Sequence, residues 1–133
     1  MLTKYFRSLL AQNIFNTSGM STIPAKYVLG LSTTKPTENG DNITEIQGKG
    51  YARVAIKNNS NTFSSRDDIT SVNSNIIYFP ESTDKWDNIK YILLFDDENH
   101  LLMWQELEHI IEIPRGTILY IDKEQLISDV KGE

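Results

Sequence analysis

The sequence predicts a mainly β protein: an antiparallel β-sandwich of about seven strands with one N-terminal amphipathic α-helix. Three observations carry that prediction. Short runs rich in Ile, Leu, Val, Tyr and Phe alternate with polar turns between Tyr27 and Asp122, the pattern of many short strands. Only residues 2–15 space their apolar side chains by three and four, as a helix requires. The run Ile89 to Phe95 (IKYILLF) is too short for a secure helix, and as a strand it sends Tyr91, Leu93 and Phe95 to one face and Ile92 and Leu94 to the other. A strand apolar on both faces belongs in the middle of its sheet.

The elements follow in order. Leu2, Phe6, Leu9, Leu10 and Ile14 form one apolar stripe, with Lys4, Arg7, Ser8 and Gln12 between them, so the first element is a helix of about three turns. Asn16, Thr17, Ser18 and Gly19 end it, because Gly adopts the left-handed conformation cheaply and Asn and Ser compete for backbone hydrogen bonds. Tyr27 to Ser32 is a strand, closed by the Thr33–Pro36 turn, and the polar, glycine-punctuated segment 38–50 is a surface loop. Tyr51 to Ile56 alternates as a second strand, Lys57 to Ser65 reads as turn material anchored by Phe63, and Asn75 to Phe79 makes a third strand. Ile89–Phe95 and Leu101–Gln105 flank the polar turn 96–99 as a hairpin. Ile110–Ile113 and Thr117–Asp122 add two more strands around Pro114-Arg115-Gly116, with a short strand or helical turn near Leu126 and Ile127. The expected organisation is one structural domain, in which residues 1–19 form a helix packing on the body or on a partner and residues 20–133 form the sandwich.

Composition narrows the function. At 133 residues the chain can bury a substantial core as a single domain. Eighteen acidic against thirteen basic residues give a net charge of −5, which argues against nucleic-acid binding, since phosphate contacts need surplus Lys and Arg. With no cysteine, neither disulfides nor thiolate metal sites contribute. No apolar run approaches a membrane span, and no signal-like segment opens the sequence. The expected protein is soluble, made in the cytoplasm and not inserted in a membrane.

Candidate chemistry is sparse. Asp96, Asp97, Glu98 and Asn99 are oxygen-rich, as a calcium loop would be, yet their spacing fits no standard loop and suits a solvated hairpin turn better. His100 and His109, with Glu106 and Glu108 nearby, match neither HExxH nor a common zinc spacing. No serine sits in a nucleophile elbow, and Gly48-Lys49-Gly50 lacks the strand-loop-helix setting of a phosphate cradle. The reading is therefore non-enzymatic, with no catalytic residue, cofactor or metal. Among Tyr78, Phe79, Trp86, Tyr91, Phe95 and Trp104, exposed rings would make a sugar-stacking or partner-binding patch, whereas Tyr91 and Phe95 belong to the core. Trp86, in a Ser/Asp/Lys-rich loop, is placed to cap one end of the sandwich. Arg53, alone among apolar neighbours, is either an edge-facing charge or half of an ion pair.

The order of the motifs is itself informative: YVLGLSTTKP, then GKGYARVAI, then IIYFPESTDKWDNIKYILLFDDENHLLMWQEL, and finally IPRGTILYI. Over residues 2–122 this succession resembles a family of small phage tail-fibre or minor tail proteins. Gly50, Tyr51, Ala52 and Arg53 fall on one family motif, and Phe79, Pro80 and Trp86 on another. The chain departs from the pattern in turns: Asp87 follows the tryptophan where Gly is usual, Asn99-His100 stand for a Gly-Gly pair, and Gly116-Thr117 for Gly-Asp. The resemblance implies a virion structural protein of the tail, baseplate or fibre, acting in assembly or in attachment of adsorption parts. The alternatives are a head decoration or head-fibre protein, or a carbohydrate-binding module. It also implies other virion proteins as partners and a homo-oligomer, a trimer by preference, with a host surface glycan as a further candidate ligand. Leu2, Phe6, Leu9 and Leu10 of the helix, together with Trp86, are the residues expected at a partner interface.

Overall fold

The computed structural model describes residues 2–15, 26–59, 62–65 and 70–129. Among them one helix, α1 (Lys4–Phe15), precedes nine strands: β1 (Lys26–Ser32), β2 (Val54–Lys57), β3 (Phe63–Ser65), β4 (Thr70–Asn73), β5 (Ile77–Tyr78), β6 (Trp86–Phe95), β7 (Leu101–Ile113), β8 (Tyr120–Ile121) and β9 (Ile127–Asp129). The mainly β, antiparallel architecture with an N-terminal helix is as the sequence predicts. The principal sheet has the order β2-β1-β6-β7, and the remaining strands form two small sheets, β3-β4-β9 and β5-β8.

Several boundaries differ from the expectation, each for a physical reason. Phe63–Ser65 is a strand and not turn material, because Thr70–Asn73, which carries little apolar signal, pairs with it. The second strand starts only at Val54, since Tyr51 and Arg53 hold a loop in place. Leu101 and Ile113 end a single strand. It bulges where only Lys90 lies opposite residues 107–110, and the Lys90 ammonium donates to the carbonyls of Leu107 at 2.6 Å and Glu108 at 3.2 Å. Bulges of this kind bend a strand without ending it. The helix stop expected at Asn16–Gly19 lies outside the described residues.

β6 occupies the position its sequence requires, paired with β1 on one side and β7 on the other. Its two faces feed two separate apolar clusters. Ile89, Ile92 and Leu94 join Tyr27, Leu29 and Leu31 of β1 in the main core, closed by Phe6 of α1, Ile77 of β5 and Ile121 of β8. Leu93 and Phe95 join Leu101 and Trp104 on the opposite face, where Ile43 of the long loop packs over them.

The helix is tied down at its first turn. Buried Thr3 is its N-cap: the hydroxyl accepts from the Phe6 amide at 3.3 Å and donates to the Leu101 carbonyl at 2.7 Å. This couples the start of the helix to the start of β7 and fixes which face Phe6 presents.

Asn73 ties the two small sheets to each other in the same way. It is fully buried. Its amide donates to the carbonyls of Asn75 at 2.9 Å and Asp122 at 2.8 Å, and its Oδ1 accepts from the Leu126 amide at 2.9 Å. Replacing Asn73 with Leu leaves these buried groups unpaired, so Asn73→Leu is expected to lower stability by roughly 1–3 kcal/mol or more. Urea denaturation of both proteins measures this as a shift in midpoint at unchanged slope.

Candidate interaction surface

The second face of the sheet is covered by an irregular loop, and polar side chains hold that loop in place. Gly48, Lys49 and Gly50 all have positive φ, at 66°, 58° and 80°, making a tight turn that presents the Lys49 carbonyl inward. That carbonyl accepts from the Thr83 amide at 2.9 Å and from the Trp86 indole Nε1–H at 2.9 Å. A Cβ on Gly50 would lie 2.6 Å from the Glu81 carbonyl oxygen, so both the conformation and the space favour glycine. Tyr51 then packs edge-on against Trp86, with ring centroids 5.6 Å apart. The two motifs at Gly50–Arg53 and Phe79–Trp86 are thus one contact in space.

Beyond the turn, the Tyr51 hydroxyl donates to Glu45 Oε1 at 2.6 Å and accepts from the Leu31 amide at 2.9 Å. Arg53 grips the same carboxylate with two hydrogen bonds, Nε to Oε1 at 3.0 Å and Nη2 to Oε2 at 2.8 Å, and a third reaches Asn99 Oδ1. Its guanidinium carbon sits 3.7 Å from the centroid of the Phe95 ring, a cation–π arrangement. Arg53 is therefore an ion-pair partner, which settles the alternative left open by the sequence. Burial raises the Glu45 pKa, but hydrogen bonds from Arg53 and Tyr51 and the Arg53 charge outweigh it, leaving the group below its ordinary value. Burial, then the bond to Glu45, drives the Tyr51 phenol far upward. Gly30 makes room for the network, since a Cβ there would lie 2.7 Å from Glu45 Oε1.

The residues expected at a partner interface are divided by the fold. Trp86 is 0% exposed at the start of β6, and Phe6 is in the main core; both spend their apolar surface inside the protein. Leu2 and Leu10 pack partly against that core, and Leu9 is half-exposed on α1. Trp104 is also buried, so neither tryptophan offers a sugar-stacking face. In the acidic turn, Asp96 Oδ1 accepts from the amides of Glu98 at 2.9 Å and His100 at 2.8 Å, while Oδ2 lies 2.9 Å from His100 Nδ1. Its oxygens thus close the hairpin itself, and Asn99 takes the left-handed conformation, φ 71°, at the position where a glycine would otherwise serve. His109, Glu106 and Glu108 lie on the exposed part of β7, away from this pair. Among the described residues no group of three or more His, Asp or Glu lies close enough to hold a metal, and no helix is long and apolar enough to cross a membrane.

Two surface features remain. On the β5–β8 ribbon, Tyr78 and Tyr120 are register partners with ring centroids 6.1 Å apart. Tyr78 is 58% exposed, Tyr120 54% and Ile118 50%. Leu119 and Ile121 alternate inward. The sequence signal for this patch was the alternation in TILYID, which identifies a strand but not which side faces water. Beside it runs a groove of about 680 Å³ between the main sheet and residues 119–125. Leu31, Ile92, Leu107, Ile111 and Leu119 line its apolar part, and Glu106, Glu108 and Asp122 stand at exposed positions along it.

The family model Gp80, described as podophage GP4 fiber I protein gp80, matches residues 1–129 of the chain. No curated protein matches the chain.

The Glu45 network has a pH signature. A carboxylate whose folded pKa lies below its ordinary 4.5 contributes stability that is complete above that value and is lost as pH falls through the lower folded one. Glu45→Gln, which cannot ionise, should be less stable at neutral pH, and its deficit should shrink as the pH drops below 4.5. Urea midpoints across an acid series compare the two directly.

Proposed function

The chain belongs to the podophage GP4 fiber I protein gp80 family, and from that membership we propose that it works as a self-associating fibre subunit, docked on a neighbouring virion protein through its β5–β8 ribbon. It is a structural component of the phage virion fibre, serves adsorption, and is not an enzyme. As a fibre protein it associates with other virion proteins.

The observation that carries the docking surface is the exposure of Tyr78, Ile118 and Tyr120 on one side of the ribbon. Among the side chains the structure describes, the other aromatic rings are buried or half-buried, Tyr5 of the helix apart. Neighbouring exposed Tyr and Ile side chains are unfavourable in water and typical of interface centres. Leu9, half-exposed on α1, is a second apolar contribution, and Leu2 and Leu10 support it from beneath. The helix and the β body act as one unit in this reading, since Phe6 shares the core of the main sheet. For the oligomer a trimer is the expected state. A rigid body with an apolar ribbon on one side suits an assembly in which each copy both meets its like and attaches elsewhere.

The experiment is done in phage. Tyr78→Ser combined with Tyr120→Ser removes apolar surface that is already more than half exposed, so the variant is expected to fold with nearly unchanged melting. Purified particles should then lack the protein or carry less of it, and adsorption should fall accordingly. Normal copy number and normal adsorption with the variant would sink the ribbon as a docking surface. For self-association, light scattering of the wild-type chain at high concentration is expected to give a defined oligomer, and a monodisperse monomer would count against it.

A further inference from the structure

We propose that copies of this chain join head to tail, the lysine-bearing β2 edge of the main sheet in one copy seating against the acidic groove beside β7 in the next. This rests on the self-association reading above and supplies its geometry. β2 and β7 are the two outer strands of the sheet, so Lys57 and the groove's Glu106 and Glu108 stand on opposite edge strands, while the groove itself runs inward from β7 past Ile92 of β6 to Leu31 of β1. On the β2 side, Lys26 and Lys57 are direct register partners and both are exposed. Like charges placed opposite one another across a strand pair destabilise it. Among the described residues neither lysine has a carboxylate partner, as is true also of Lys4, Lys35, Lys49, Arg115 and Lys123 but not of Arg7, Arg53, Lys85 and Lys90. On the β7 side, Glu108 and Asp122 border the groove and likewise have no basic partner among the described residues, while Glu106 is only loosely paired, 3.7 Å from Lys90.

The shapes of the side chains match as well as their charges. A lysine carries a four-carbon apolar stem behind its ammonium, and such stems lie along apolar surface while the charge stays at the rim. The groove offers that combination, with Leu107, Ile111 and Leu119 along it and carboxylates at exposed positions. Charge also excludes the symmetric alternatives. Two β2 edges would bring four lysines together, and two β7 edges would oppose Glu106 and Glu108 with their own copies. Only the heterologous pairing is attractive, and a heterologous contact forms a closed ring when the rotation between copies divides a full turn. A trimer is such a ring.

Charge reversal tests the contact on the full chain by sedimentation equilibrium. Lys26→Glu with Lys57→Glu, and separately Glu108→Lys with Asp122→Lys, should each weaken association about tenfold or more. Combining all four substitutions should restore it to within about threefold of wild type, because the attraction is rebuilt with its signs exchanged. All four positions are exposed, and melting curves check that folding is retained; the neutral set Lys26→Gln, Lys57→Gln, Glu108→Gln and Asp122→Asn provides a weakened, non-repulsive reference should a reversed protein misfold. An oligomer indifferent to both reversals overturns the head-to-tail contact and leaves self-association standing. Failure of the fourfold variant to recover also overturns it. A wild-type chain that is monomeric at every concentration overturns the self-association reading itself, and this contact with it.

Discussion

The fold follows from one constraint: the central strand β6 is apolar on both faces, so both faces of its sheet must be covered. Ile89, Ile92 and Leu94 look one way and Leu93 and Phe95 the other. Each large aliphatic or aromatic side chain taken out of water contributes about 1.5–3 kcal/mol, so neither face can be left open cheaply in a chain of this size. The first face is covered in the usual way for an antiparallel protein, by other secondary structure. Strands β5 and β8 and the first turn of α1 supply Ile77, Ile121 and Phe6.

The second face is covered by chain without regular hydrogen bonding, and that choice imposes a further requirement. A loop has no ladder to fix it, so its position over Leu93, Phe95, Leu101 and Trp104 must be set by side chains. The Gly48–Gly50 turn, the Lys49 carbonyl on Trp86 and the Glu45–Arg53–Tyr51 network fulfil that role. The ion pair is bidentate and only partly exposed, the circumstances in which such a pair is worth more than an ordinary surface contact. Arg53 also contributes its flat face to Phe95, so the same residue seals the apolar cluster and anchors the loop. Trp86 is needed at the junction of both tasks, which is why it belongs to the core.

This division explains what the sequence made legible. Hydrophobic periodicity correctly revealed α1, β1 and the β6–β7 hairpin, because those elements bury stripes or faces that alternate along the chain itself. The aromatic-rich β6 could be placed centrally from seven residues alone. Strands β3 and β4 carry mostly Ser, Thr and Asn and exist because they pair with each other and with β9 and because Asn73 links them to the 122–126 loop; nothing local announces them, whereas β9 falls where a short strand or helical turn is expected near Leu126 and Ile127. Trp86 looked like a surface cap because its neighbours are polar, yet its environment is built by Lys49 and Tyr51, more than thirty positions earlier. The exposed ribbon was equally hidden: alternation shows that Ile118 and Tyr120 share a side, and only the tertiary fold decides that this side is left to water. For the interface, then, the sequence pointed to the most apolar residues, and folding had already consumed two of them.

What folding leaves over is the informative remainder for a fibre protein. Since both faces of the main sheet are largely occupied from within, its edges and the two-stranded ribbon are the places where we propose contacts with other chains. The edges carry charge and the ribbon carries apolar rings. Charged edges protect a small β protein from indiscriminate edge-to-edge pairing, and when the two edges bear opposite charge the same device permits one ordered contact while forbidding the others. An apolar ribbon on a separate sheet gives a second, chemically distinct surface that need not compete with the first. On the contacts proposed above, such a subunit would meet its own kind and a different protein at once, with the arrangement set by the same two-sided burial that makes β6 the centre of the fold.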